Sequence, residues 1–480
     1  MIFSFFYGTG PITDAFNTST TAATLIFSVI TYALSKTYIP TYNEVLKKGG
    51  EESGDKFTNN LLNFSLFLTS AIMILGFAFA PAIVKLFAAG YSGEKLKIAS
   101  SFMRAIILTI YPNIYAAIFS AYLQIKGDFI TPALPLIILN IILAITVAIS
   151  KGNVTIMTIG IFLAYFVQFI IFPRAIRKTC FKRGKIKFSF DENVKKIIIL
   201  SLPTTFSMAA VYISTIVDQS FASLVATDGG VSIINYALKI LRIVSSTFIV
   251  PFQVTAYPII GKLVADNNLN GMKKLTSQTL VKIMILFIPS IIGMMVLSEP
   301  IISFVYYRGE FTYNDMIATS KVLFTYTLYL LGPAIVDLLY LSFFSNQNTK
   351  IPTVISFIQL GINILLDYAL SVKYGLVGLA MATTISQFSS VLMAFVMYKR
   401  TFGSLDNKYI LKNIGKILIA GAVLGVFAKY FFQLRPSNLW LLVTIAFSGA
   451  IYVGIIYLLK VDEFDDIKNA FLKRKKNKKA

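Results

Sequence analysis

The sequence predicts an all-α polytopic membrane protein, built as two related six-helix halves followed by two further helices. Three observations carry that prediction. Mean hydropathy is +0.73, with 56% apolar and only 14% charged residues over 480 positions, whereas a soluble chain of this length needs far more polar surface. Apolar runs long enough to cross a bilayer recur from end to end. Five landmarks in the first half also recur in the second at separations of 218 to 220 residues.

The apolar runs number thirteen, at about 14–36, 58–88, 98–124, 131–149, 155–173, 197–226, 231–261, 279–305, 316–345, 352–371, 375–398, 409–429 and 438–459. Runs longer than the bilayer is thick accommodate by tilting or by extending into water. Most connections are short and carry Gly, Asn, Asp or Lys, residues that end helices. The opening "MIFSFFYGTG" is too short to cross and reads as the end of a span; it lacks the basic start and cleavage site of a signal peptide.

The repeat explains that stub. Pro40 in "YIPTY" recurs as Pro258 in "AYPII", and Pro81 and Gly90 in "FAPAIVKLFAAG" recur as Pro300 and Gly309 in "LSEPIISFVYYRG". "IASS" at 98–101 returns as "IATS" at 317–320, and Pro132 returns as Pro352. The period spans six helices, an even number, so both halves take one orientation about an axis along the membrane normal. Six helices are then expected in the first half, and the first of them is expected to be incomplete. The expected division is residues 1–190 for the N-terminal lobe, 191–400 for the C-terminal lobe, 401–460 for the appended helices 13 and 14, and 461–480 for a basic tail.

Charge sets the orientation. With the loop at 41–57 on the cytoplasmic side, inward segments hold 30 of the 44 Lys and Arg residues, outward segments hold 7, and 7 lie within spans. That bias is the positive-inside pattern, and it places the C-terminus in the cytoplasm. It also accounts for the net charge of +22 without nucleic acid: "RAIRKTCFKRGKIK" and "FLKRKKNKKA" are juxtamembrane clusters suited to anionic lipid headgroups. The chain has no His and a single Cys, Cys180. A disulfide framework, Cys/His metal sites and His-based acid/base catalysis are therefore excluded, and no clustered acidic active site replaces them.

Ionisable and polar groups within spans are the candidate functional residues. Lys239 and Arg242 are i and i+3 on one helix face, with Asn235 one turn earlier. Lys239 is nine residues from Gly230, roughly 13 Å in, where it suits an anionic group; pairing with a neighbouring acid is the competing role. Lys36, Arg104, Lys282 and Lys321 lie nearer helix ends and are expected to snorkel. In "LGINILLDYAL", Asn363 and Asp367 share a face, and Asn363 is nine residues from the outer end at Val372. Asp218 and Thr383 are each nine residues from their own outer ends, so three helices bring oxygen donors to one depth of roughly 13 Å. Such donors suit a hard monovalent cation or a proton relay rather than zinc. Two alternatives stand: an Asp218–Lys239 ion pair, and an Asp367 that reaches interfacial water.

The chain resembles the lipid II flippase (MurJ, or MviN) family of the multidrug/oligosaccharidyl-lipid/polysaccharide (MOP) exporter superfamily. The stretches that carry the resemblance are "FYGTGPITDAF", "NYALKILRIVSSTFIVPFQVTAYPIIGKLVADNN" and "FVYYRGEFTYNDMIATSKVLFTYTLYLLG" followed by "NQNTKIP". It runs from about residue 6 to 400, and the two appended helices agree with the family's fourteen. The resemblance implies a MATE-like fold and a transporter rather than an enzyme, moving an undecaprenyl-pyrophosphate-linked peptidoglycan precursor between leaflets by cation-coupled alternating access. It implies substrate contacts at Lys239, Arg242, Asn235 and Asp14, and a Na+ site of Asp218, Asn363, Asp367, Thr383 and the Leu379 carbonyl, with no organic cofactor. The sequence departs from the family in its second helix, where "TLIFSVITYALS" carries Ile26 and Thr31 and no arginine or glutamate. A flippase for another polyprenyl-linked glycan (teichoic acid or polysaccharide unit) and a cation-coupled small-molecule exporter are the alternatives. "NTSTTAAT" at 17–24 suits sugar hydroxyls or helix packing.

Overall fold

A computed structural model describes residues 2–179, 181–186, 190–226 and 228–465. Cys180 and most of the basic tail lie outside them. All regular structure among the described residues is helical. The first half consists of α1 (Ile2–Tyr7), α2 (Pro11–Ala78), α3 (Ala80–Phe87), α4 (Gly93–Ile107), α5 (Ile110–Ile125), α6 (Leu134–Ser150), α7 (Val154–Phe166) and α8 (Gln168–Arg177). There follow α9 (Glu192–Val225), α10 (Gly230–Ala265), α11 (Leu269–Val296), α12 (Ser298–Tyr306), α13 (Tyr313–Thr327), α14 (Leu331–Ser345) and α15 (Lys350–Phe402). The two last are α16 (Asn407–Gln433) and α17 (Asn438–Leu458).

All thirteen expected spans fall on helices, although they are joined differently. Ten stretches among the described residues are long and apolar enough to cross a membrane. One of them, α15, holds two expected spans in 53 residues, broken at Gly375, where φ is +61°. The span at 14–36 lies in α2, which also breaks, at Gly50 with φ +69°. The span at 197–226 is α9, whose apolar part Ala209–Val225 is shorter.

The sequence repeat is also a repeat of elements. Short α3 and α12 follow the repeated prolines, and α4 and α13 are 15 residues each. The stub α1 corresponds to the last turns of α9.

Two compact units form, residues 1–232 with 309–311, and residues 233–308 with 312–480. Helix α9 therefore packs in the first unit, against α2 and α3. In that unit α2 is the central post, flanked also by α4 and α5. Its small residues Ala22 and Ala23 are fully buried, as are Phe102, Met103 and Ile107 of α4. One side of α6 is left uncovered, with Leu136, Ile137, Ile141, Ile145 and Ile149 exposed. Such a face suits lipid, which satisfies apolar side chains without packing.

In the second unit, α11 runs beside α16, α13 and α14 pack on α15, and α17 closes on α16. Phe287, Leu323, Leu339, Phe343 and Leu379 make its fully buried core. The approach of α16 to α11 depends on small residues: a Cβ at Gly421 or Gly425 would come within 2.6–2.7 Å of Ile292 side-chain atoms.

Candidate functional site: buried polar groups in each unit

In the first unit the buried polar centre is Asp14, fully enclosed near the start of α2. Its Oδ1 accepts from the Ser232 amide at 2.8 Å and from the Ser232 hydroxyl at 2.6 Å. Its Oδ2 accepts from the Gly229 amide at 2.8 Å and from Lys95 Nζ at 2.7 Å. Gly229 and Ser232 flank the first turn of α10, so the carboxylate sits where unpaired amides and the helix dipole favour an anion. Lys95 reaches Asp228 at 3.3 Å as well and lies over the Tyr91 ring. Asn17 donates to Ser232, and Thr18 bonds the Tyr91 hydroxyl.

Close backbone approaches tie neighbouring turns to this cluster. The Glu310 amide donates to Phe5 O at 2.9 Å. Gly8 and Gly309 both have positive φ, and a Cβ on either would stand 2.3 Å or less from a carbonyl oxygen. The Asp14 carboxylate, which the family resemblance assigns to substrate, accepts here from internal donors, with Lys95 of α4 as its counter-ion. The sequence offers no signal for this pairing across 81 positions beyond the cost of burying a lone carboxylate.

Also in the first unit, Asp218 is half-buried on α9, one position before the buried Gln219, which donates to Thr21 at 3.0 Å. Of the hydroxyl run at 17–24, Thr18 and Ser19 are fully buried and bond other side chains or carbonyls, which is the helix-packing role.

In the second unit Lys239 is exposed on α10, 5.2 Å from the Tyr236 ring centre. Arg242 is exposed one turn on, and Asn235 is buried one turn before. Tyr236 is itself buried and its carbonyl accepts from the Tyr306 hydroxyl at 3.2 Å, which holds the ring that Lys239 lies against. The expected basic face therefore exists, with its cations directed away from the unit's core.

On α15, Asn363 and Asp367 are 1% and 0% exposed. Asp367 is enclosed within the unit, so contact with interfacial water is not what keeps it there. Thr383 donates its hydroxyl to the Leu379 carbonyl at 3.0 Å, placing those two expected donor atoms side by side. Carboxylate, amide, hydroxyl and carbonyl oxygens are each the donor type that suits a hard monovalent cation. Asp218 belongs to the first unit and the other four to the second.

Two expected snorkelling cations are held otherwise. Arg104 Nε donates to Phe77 O at 3.3 Å with its guanidinium over the Phe77 ring. Lys282 pairs at 3.0 Å with the buried Glu463, just beyond α17, which also accepts from the Tyr409 hydroxyl. Asn413 and Asp462 bond each other twice beside them, so the end of α17 is clasped to α11 and α16.

The comparisons with known proteins agree with this architecture over nearly its full length. A family model described as lipid II flippase MurJ matches residues 3–449. A lipid II flippase MurJ from Thermosipho africanus is 28% identical over 422 residues, 88% of this chain and 84% of that one. A probable lipid II flippase MurJ from Rickettsia prowazekii is 25% identical over 483 residues, 96% of this chain and 93% of that one. Among solved structures, lipid II flippase MurJ in an inward closed conformation matches with a TM-score of 0.79 at 27% identity, covering 95% of this chain and 94% of that one. An inward-facing MATE family transporter of the MOP superfamily matches with a TM-score of 0.69 at 16% identity, covering 84% and 94%, a likeness of fold alone. The expected MATE-like MOP fold is therefore found, and the chain belongs to the lipid II flippase MurJ family.

Proposed function

We propose that this multi-pass membrane protein carries lipid II, the polyprenyl-pyrophosphate-linked precursor of peptidoglycan, from the inner to the outer leaflet of the cytoplasmic membrane. The observation that carries this reading is the family match over residues 3–449, which takes in both units. The substrate has an anionic, hydrated head, and two cations on one face of α10, Lys239 and Arg242, supply complementary charge within the bilayer. Asn235 adds a neutral donor on the same face. Alternating access moves the head past these groups while its tail stays in lipid.

The coupling ion is Na+ or H+. When bound, Na+ would supply a fixed positive charge to Asp367 and would be held by Asn363, Thr383 and the Leu379 carbonyl. The oxygen donor types and the burial of Asp367 support that assignment. Anionic lipids meet the basic loops, and the C-terminus faces the cytoplasm, as the distribution of Lys and Arg supports.

The absence of cations from 25–35 in α2 favours one second reading, a flippase for another polyprenyl-linked glycan. Depletion in cells separates them: loss of function is expected to accumulate lipid II in the inner leaflet, and accumulation of a different lipid-linked glycan would replace the first reading by the second. For the ion site, Asp367→Asn is expected to weaken the sodium dependence of transport. Unchanged dependence would remove the assignment.

A further inference from the structure

Lys321 stands on α13 eight residues after Tyr313, roughly 12 Å along the helix from its start. It is exposed and forms no ion pair with a carboxylate among the described residues. A lysine at that position can snorkel toward the headgroups, where an anionic group that meets its ammonium stabilises it further. The side chain lines a groove of about 500 Å³ between α13 and the second half of α15. The walls are apolar, with Ile317 on one side and Leu376 and Val377 on the other, and Tyr313 and Tyr374 stand at the mouth. Lys373, which does not line the groove, holds its ammonium 5.3 Å from the ring centre of the lining Tyr374. The positive φ of Gly375 turns the chain there.

The repeat shows that the fold itself has no need of this lysine. Its counterpart 219 residues earlier is Phe102, fully buried and edge-on to Phe16 at 6.1 Å. Where the first unit fills the position with a packed ring, the second presents a cation in a groove.

We propose that this groove is a binding site for an anionic phospholipid, with its phosphate on Lys321 and one acyl chain along Ile317, Leu376 and Val377. One ammonium group with no acid among the groove's lining residues favours a net negative headgroup over a zwitterionic one. The two tyrosines are suited to the headgroup boundary. On the orientation proposed above, the lipid comes from the outer leaflet. The groove is separate from Asn363, Asp367 and Leu379 of α15, which are buried on that helix.

The experiment measures phosphatidylglycerol retained by purified full-length protein, together with the rise in thermal midpoint on adding phosphatidylglycerol or phosphatidylcholine. Lys321→Gln is expected to lower affinity for phosphatidylglycerol about fivefold, the worth of one lysine at a lipid surface. Ile317→Trp, which plugs the groove and keeps the lysine, should lower retention as well. Arg308→Gln, a control exposed cation outside the groove, should leave both readouts unchanged, and all variants should elute as monodisperse protein. Equal response to the two lipids, undiminished retention in Lys321→Gln, or an equal loss in Arg308→Gln would overturn the site.

Discussion

At the scale of single residues, Asp14 shows how enclosure redirects a carboxylate. Four donors satisfy it, and one of them, Lys95, is only 11% exposed at its side chain. Breaking such a pair by removing one partner leaves the other charge buried, at a cost of about 3–5 kcal/mol. Asp14→Ala is therefore expected to lower the thermal midpoint in detergent sharply. Adding Lys95→Met to it should cost less than the two single losses combined, because both remove the same interaction; strict additivity would show that the pair is not coupled. Asp14 itself was legible only through the family resemblance, as a substrate contact. Its donors were not legible, because they come from segments 81 and 215 or more residues away. By contrast, Asn363 and Asp367 were legible as a pair because helical periodicity alone puts i and i+4 on one face.

At the scale of elements, the helices follow from apolar length and their breaks follow from glycine. The runs at 352–371 and 375–398 read as two spans, and the chain joins them through Gly375 without leaving helical hydrogen bonding for more than a turn. What periodicity leaves open is which helices touch. Gly421 and Gly425 look alike in sequence to Gly415, yet only the first two lie under α11. Gly425→Leu is expected to destabilise the protein by about 1–3 kcal/mol through overpacking against Ile292. Gly415→Leu, where a Cβ meets nothing within 4 Å, should be neutral or stabilising, as a gain of helix propensity predicts. Equal losses in thermal unfolding for both would argue against close packing of α11 and α16.

At the scale of the whole molecule, the bias of Lys and Arg predicts a topology that can be read directly. In a Cys180→Ser background, Lys373→Cys on intact spheroplasts should react with a membrane-impermeant maleimide. Lys412→Cys should react only after permeabilisation. The reverse pattern would invert the orientation, and with it the leaflet assigned to the α13–α15 groove. The 219-residue repeat was visible in prolines and glycines because those residues mark where helices start, bend and stop, and element lengths follow it closely. The grouping of helices into compact units does not follow from the repeat: α9 belongs by sequence to the second half, but its side chains pack on α2 and α3 in the first unit.

The number of spans, their break points, the twofold repeat and the basic bias were properties of the chain read in one dimension. They depend on local hydrophobic length, backbone geometry and charge, none of which needs a partner distant in sequence. The counter-ion of Asp14, the clasp of Glu463 on Lys282 and the groove around Lys321 were decided only in three dimensions. Each depends on which loops and helix faces meet after folding, where the cost of enclosing a charge is settled by whatever neighbour the packing supplies.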